Sequence, residues 1–250
     1  MFSRIPIPRV DWDRDNMRYT MAVFPLVGVI VGVFACAGWL IMDALAFGSL
    51  AKGVALAVIP VWLTGGIHLD GYADTVDALA SHGDREKKLA ILKDPHTGAF
   101  AIIGLCLYFL CFTALTVELD PTFASIMTYC SVFVLSRAFG VVFMQTVPPA
   151  RADGLGRLFH DAAIKKLTLA TAVFIVLAVI AASLYANGPV GLLMPAGMLL
   201  TLLYSRRMSY REFGGVTGDL TGYCIQVFEI SGLAGIVIGQ KIAAILGVMP

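Results

Sequence analysis

Seven apolar runs of near-spanning length dominate the chain, at roughly 19–42, 51–66, 99–117, 122–147, 167–187, 189–205 and 230–249. A bilayer core demands about 20 consecutive apolar residues as helix, because no water is there to satisfy backbone N–H and C=O groups. The chain is therefore expected to be all-α, a polytopic membrane helix bundle of about seven transmembrane helices forming one domain over 1–250. The second and sixth runs are short, so the expected count is seven to within one. Only 14% of residues are charged, against about a quarter in soluble domains.

Loop charges set the expected orientation. Segments 1–18, 67–98, 148–166 and 206–229 hold 15 of the 18 Lys and Arg residues, so the positive-inside rule puts them and the N-terminus on the cytoplasmic side of the cell membrane. The same segments hold 14 of the 17 acids, so a polar cavity facing the cytoplasm is expected. The first eighteen residues carry Arg4, Arg9, Arg14 and Arg18 before a run too long for a signal-peptide core, so the first span is expected to stay. With Pro6 and Pro8 forbidding a regular helix, segment 1–18 is expected to lie along the interface, its arginines on lipid phosphates or substrate phosphates. A net charge of +1 gives nucleic-acid binding no support. The five cysteines show no metal spacing and are expected to pack in the spans. Gly28 and Gly32 have the spacing that lets another helix approach closely.

Directly after the second run stands Gly65-Gly66-Ile67-His68-Leu69-Asp70-Gly71-Tyr72-Ala73-Asp74-Thr75-Val76-Asp77. At 3.6 residues per turn, Asp70, Asp74 and Asp77 fall within roughly 60° of one another. Three like charges on one face repel unless a cation lies between them, which points to a divalent-metal site for phosphate chemistry. Residues 84–93 are expected to form an amphipathic helix with Arg85, Glu86, Lys87 and Lys88 on a solvated face. Lys93-Asp94-Pro95-His96 precedes the third span, where free N–H groups with Lys93 and His96 make an anion site. Arg137 sits about ten residues, roughly 15 Å, inside a span, too deep for easy snorkelling. It is expected to clamp a substrate phosphate or to pair with Asp70 or Asp74. Arg151 lies in a flexible basic hairpin, and the glycines around Thr217 and Asp219 let backbone N–H groups approach phosphate while Asp219 completes a metal shell.

In this order, Arg4-Ile5-Pro6, Pro25-Leu26-Val27-Gly28, the Gly65–Asp77 stretch, Lys93-Asp94, Arg137, Gly154-Leu155-Gly156 and Gly215-Val216-Thr217-Gly218-Asp219 with Glu229 resemble the cobalamin synthase family, the adenosylcobinamide-GDP ribazoletransferases. Ala78 stands where that family usually has glycine, and Gln226 where an acid is common, so position 226 is left out of the metal set. The resemblance implies a magnesium-dependent, membrane-bound transferase that joins a GDP-activated corrin to α-ribazole or its 5′-phosphate and releases GMP. It makes Asp70, Asp74, Asp77 and Asp219 the metal set, with Asp77 either completing the shell or accepting the proton of the attacking hydroxyl. Arg137, Lys93 and His96 are assigned to the phosphates. Arg4, Gly65, Gly66, His68, Arg151, Thr217 and Gly218 are assigned to substrate. Membrane lipid is an expected partner, and homo-oligomerisation is left open. A cation-coupled membrane transporter is the alternative. It is the weaker one, because no acid falls near the middle of an expected span and transport needs access from both sides.

Overall fold

The computed structural model describes residues 17–152 and 154–247. Arg4 and the rest of the proline-interrupted opening lie outside the described residues. Eleven α-helices follow one another among the described residues: α1 (Thr20–Val23), α2 (Pro25–Ala44), α3 (Ser49–Thr64), α4 (Ile67–Ala80), α5 (Arg85–Ile91), α6 (Ala99–Val117), α7 (Phe123–Thr146), α8 (Leu155–Ala162), α9 (Lys165–Asn187), α10 (Leu193–Met208) and α11 (Gly218–Leu246). No strand forms among these residues; Pro149 and Val216 make an isolated parallel bridge.

The bundle is built around α7, of which 78% of the most apolar window is buried inside the protein. Small residues set the approach of its neighbours. A side chain on Gly28 of α2 would overlap the Phe133 carbonyl, and one on Gly32 would lie 2.8 Å from the Cys130 carbonyl oxygen, so the expected glycine spacing packs α2 on α7. The hydroxyls of Thr128, Ser131 and Ser136 bond carbonyls within α7 itself, which satisfies them without water. Leu26, Val33, Ile103, Leu110, Phe174 and Leu200 point outward, the apolar exterior that a bilayer covers.

Five helical runs are long and apolar enough to cross a membrane, or six when α3 and α4 count as one broken span, against the seven expected. The two short runs account for the lower number of runs, the second because it is bent and the sixth because it is joined to the fifth in one run that doubles back and so passes twice. The second run ends where α3 and α4 bend by 98°. The sixth belongs to a 49-residue helical run, Lys165–Phe213, far longer than one crossing. That run folds back at the 3-10 turn Gly188–Leu192: Asn187 bonds Thr128 near one end of α7, and Arg206 bonds Thr146 at the other. α11 has 29 residues, about 43 Å of helix, so it exceeds the roughly 30 Å hydrocarbon core. It starts twelve residues before the expected seventh span, turning much of the supposed loop 206–229 into helix.

The 98° bend has a local cause. Gly65 (φ 67°) and Gly66 (φ 78°) are successive left-handed residues, one capping α3 and the other opening α4. A side chain on Gly66 would meet nothing within 4 Å, so its φ, not crowding, calls for glycine. α4 therefore turns away from the direction of α3 at Gly65, and its three aspartates stand on a separate helix and not on a continuation of the apolar run.

Candidate active site

The polar loops gather at one end of the bundle. At the other end are the exposed pairs Lys52–Asp43 and Lys241–Glu118. Helix α4 lies against the first turns of α11, and glycine permits the contact: a Cβ on Gly71 would lie 2.6 Å from the Asp219 carbonyl oxygen and 2.9 Å from its Cα. One turn on, a Cβ on Gly222 would lie 3.1 Å from the His68 carbonyl oxygen. Tyr72 and Tyr223 stack across the same seam, with centroids 5.5 Å apart and planes 10° apart. This crossing brings two segments separated by about 150 residues in sequence to one place.

A cavity of about 350 Å³ opens beside the crossing, and Asp70, Asp219, His68, Arg151, Thr217 and Gly218 are among its lining residues. Thr217 caps α11, its hydroxyl accepting from the Leu220 N–H at 3.1 Å, so Gly218 and Asp219 form the first turn. Uncapped N–H groups and the positive end of the helix dipole favour an anion there. Arg151 is held from the far side, donating to the Leu89 carbonyl at 2.8 Å while its Nε stays buried without a partner. His68 is 5% exposed and its Nε2 has no hydrogen-bond partner. Burial, reinforced by the charge of Arg137, pushes the imidazole down to about 3, so it stays neutral.

Asp74 sits one turn beyond Asp70. Burial, then the charges of Asp70, Asp219 and Asp77, push its carboxyl up to about 6. Negative charge gathered around Asp74 in this way suits a divalent cation. Among the described residues no three His, Cys, Asp or Glu side chains already form a metal-sized cluster. Asp70 and Asp219 line the cavity and Asp74 does not, so a magnesium ion held there would take its remaining ligands from substrate phosphates, as it commonly does. Asp77 points elsewhere. Its carboxylate lies over Gly98 and accepts from the Ala101 N–H at 3.3 Å, capping α6.

Several expected site residues lie outside the cavity lining. Arg137 is fully buried and paired with Glu229 of α11, with Ser136 and the Phe133 carbonyl as further acceptors. Its partner is thus Glu229, and neither Asp70 nor Asp74. Lys93 and His96 lie on the exposed turn after α5, where His96 Nδ1 meets Asp94 Oδ1 at 2.7 Å. Gly65 and Gly66 form the bend that aims α4. Lys88, expected on a solvated face, is buried and bonded to Glu212, which ties α5 to the π-helical turn Ser209–Phe213.

Sequence reasoning missed the other half of the cavity. Met21, Phe24, Met144, Phe159 and Ile225 line it and belong to a hydrophobic cluster separate from the main core. Phe159 and Arg157 come from α8, which begins at Leu155 within the expected basic hairpin 148–156 and continues beyond it. The signal was there in Leu158, Phe159 and Ala162, whose spacing makes one apolar helix face.

A membrane helix bundle with an acid-lined cavity against a helix N-terminus has the make-up of a phosphate-handling membrane enzyme. The chain belongs to the family described as cobalamin-5-phosphate synthase, whose family model matches residues 1–237. A relative from Lachnoclostridium phytofermentans is 36% identical over 246 residues, covering 97% of this chain and 92% of that protein. One from Clostridium botulinum is 31% identical, covering 93% and 92%. One from Acinetobacter baumannii is 34% identical, covering 82% and 81%. All three carry the name adenosylcobinamide-GDP ribazoletransferase. No solved structure matches the chain.

Proposed function

We propose that this chain joins adenosylcobinamide-GDP to α-ribazole, or to its 5′-phosphate, with release of GMP, and that it does so at the cytoplasmic face of the cell membrane. The observation that carries this reading is the seam at Gly71 and Asp219, which puts Asp70 and Asp219 in one cavity at the start of α11. Clustering of the basic loops at that end supports a cytoplasmic placement.

In the reaction, an oxygen–phosphorus bond forms between the ribose 3′-hydroxyl of ribazole and the phosphorus carried on the corrin arm. The hydroxyl O–H bond and the bridging oxygen–phosphorus bond of the diphosphate break, the proton passing to water and GMP leaving with the bridging oxygen. Asp70, Asp74 and Asp219 would hold Mg²⁺, which neutralises charge on the diphosphate when bound. Gly218 presents its backbone N–H, and Arg151 its guanidinium, toward phosphate oxygens, favouring the more charged transition state. Arg137 is assigned to holding α7 on α11, beneath His68. The transporter alternative gains no support, since the cavity's acids stand at one end of the bundle.

Purified protein in liposomes, given adenosylcobinamide-GDP, α-ribazole and Mg²⁺, is expected to release GMP, and EDTA is expected to stop it. Absence of GMP would overturn the transfer, and release that persists in EDTA would overturn the metal.

A further inference from the structure

We propose that Lys88 and Glu212 are a positioning pair for the transfer: by latching α5 to the π-helical turn Ser209–Phe213, they set the direction of the Arg151 guanidinium at the cavity. The inference rests on the proposed place of Arg151 at the substrate phosphates, and it adds two residues from outside the cavity lining.

The series of contacts begins at Arg151. Its Nη2 donates to the Leu89 carbonyl at 2.8 Å, and Leu89 is its one hydrogen-bond acceptor among the described residues. Its Nε is buried without a partner, so no second bond fixes how the flat guanidinium is turned. Where the Leu89 carbonyl stands therefore decides where the remaining N–H groups point. That carbonyl lies in the last turn of α5, where carbonyls lack acceptor partners within the helix. The neighbouring carbonyls of Lys88, Ala90 and Ile91 are taken by the N–H groups of Leu92, Lys93 and Asp94, which leaves Leu89 for Arg151. Leu92, directly after α5, lines the cavity itself.

α5 cannot hold that position by itself. It has seven residues, well short of the roughly 12–15 that an isolated helix needs in water. Its cap is local, with Asp84 accepting from the Lys87 N–H at 2.9 Å. Leu89, Ile91 and Leu92 pack on the core, but apolar burial has no direction and does not fix how the helix is turned. Two basic side chains supply the direction. The Lys88 amine bonds the Glu212 carboxylate, their side chains 8% and 17% exposed, so water competes little for either. The Arg85 guanidinium lies over Gly214, where a Cβ would overlap it.

The same turn supports Arg151 from its backbone side. Ser209 accepts from the Gly215 N–H at 3.2 Å, and its hydroxyl donates to the Gly215 carbonyl. Val216 comes next and pairs with the residues just before Arg151: its N–H donates to the Pro148 carbonyl at 2.8 Å, and the Ala150 N–H donates to its carbonyl at 2.9 Å. Thr217, the cap of α11, follows. Glu212 thus stands in the turn that carries both supports of Arg151 and leads into the first turn of α11.

The test is a double-variant cycle on GMP release in liposomes, read beside hydrogen exchange of the same proteins in detergent. Lys88→Met is expected to lower kcat about tenfold and leave the KM of each substrate within twofold, since displacing a positioned group by about 1 Å costs up to a hundredfold. Glu212 keeps Arg211 as a partner in that variant, which limits the cost to folding. Glu212→Asp keeps both charges and withdraws the carboxylate by one carbon–carbon bond. It is expected to lower kcat several-fold, and it keeps the test decisive should Lys88→Met fail to fold. In a protein already carrying Arg151→Met, either change is expected to lower kcat less than twofold further, because the group it positions is gone. Exchange reads the link without turnover: Lys88→Met should speed it about tenfold at Ala150 and Val216 as well as in α5. Faster exchange confined to α5, or an equal loss of kcat with and without Arg151, would overturn the inference. No GMP release by the unaltered protein would overturn the transfer, and normal turnover by Arg151→Met would overturn the place of Arg151 at the phosphates. In either case, coupled exchange at Ala150 and Val216 keeps the latch, and exchange confined to α5 removes it too.

Discussion

Asp74→Asn is expected to reduce GMP release at least about a hundredfold, the loss typical when one preorganised charge-stabilising group is removed from a phosphate or oxyanion site. The substitution keeps the shape of the side chain and removes one negative charge from a group of four. Because burial and the neighbouring carboxylates already push Asp74 up to about 6, the neutral amide relieves repulsion in the empty protein. Thermal unfolding in detergent should therefore stay level or move slightly upward while turnover collapses. That opposition separates a metal-holding role from a structural one, since a structural aspartate would lose stability and activity together. Near-normal GMP release by Asp74→Asn would remove it from the metal set.

Arg137→Met is expected to destabilise the folded protein by about 3–5 kcal/mol, because it leaves Glu229 as an uncompensated charge in the interior. Both side chains are only 1% exposed, so water cannot take the place of the lost partner. Arg137→Met combined with Glu229→Gln should recover most of that stability, as removing both charges removes the desolvation cost as well. The readout is thermal unfolding of the two single variants and the double variant, with GMP release measured on each folded sample. A double variant that folds well and turns over substantially places Arg137 in the scaffold. One that folds well and is inactive would return Arg137 to the substrate phosphates.

The case of Arg137 marks where sequence stops being informative. Its depth in an apolar run was legible, and so was the need for a partner. The partner was not, because Glu229 sits eleven residues after Gly218, in a stretch that reads as loop by its glycines and acids. Thr217, Gly218 and Asp219 instead open a helix, and packing against α4 and α7 overrides the composition. Asp70, Asp74 and Asp77 do share a helix as their spacing predicts. Helical spacing alone did not reveal that Asp77 turns to cap α6, which depends on where Gly98 lands.

Glycine was the most readable residue type where it served packing. Gly28 and Gly32 meet α7 as their spacing implies, while Gly65 and Gly66, assigned to substrate, make a bend through their positive φ. Gly71 carried no signal by itself, yet its contact with Asp219 joins the two halves of the site. The apolar half of the cavity was the least legible. Met21, Met144 and Ile225 are indistinguishable by type from dozens of lipid-facing or core side chains, and only the fold separates them.

The most direct measurement of the account is paramagnetic resonance of Mn²⁺ added in place of Mg²⁺ to the protein with adenosylcobinamide-GDP bound. Carboxylates on α4 and α11 that share a cation predict protein-bound Mn²⁺ in the unaltered chain and its loss in both Asp70→Asn and Asp219→Asn. Mn²⁺ that stays bound in either single variant would contradict a cation shared between the two helices.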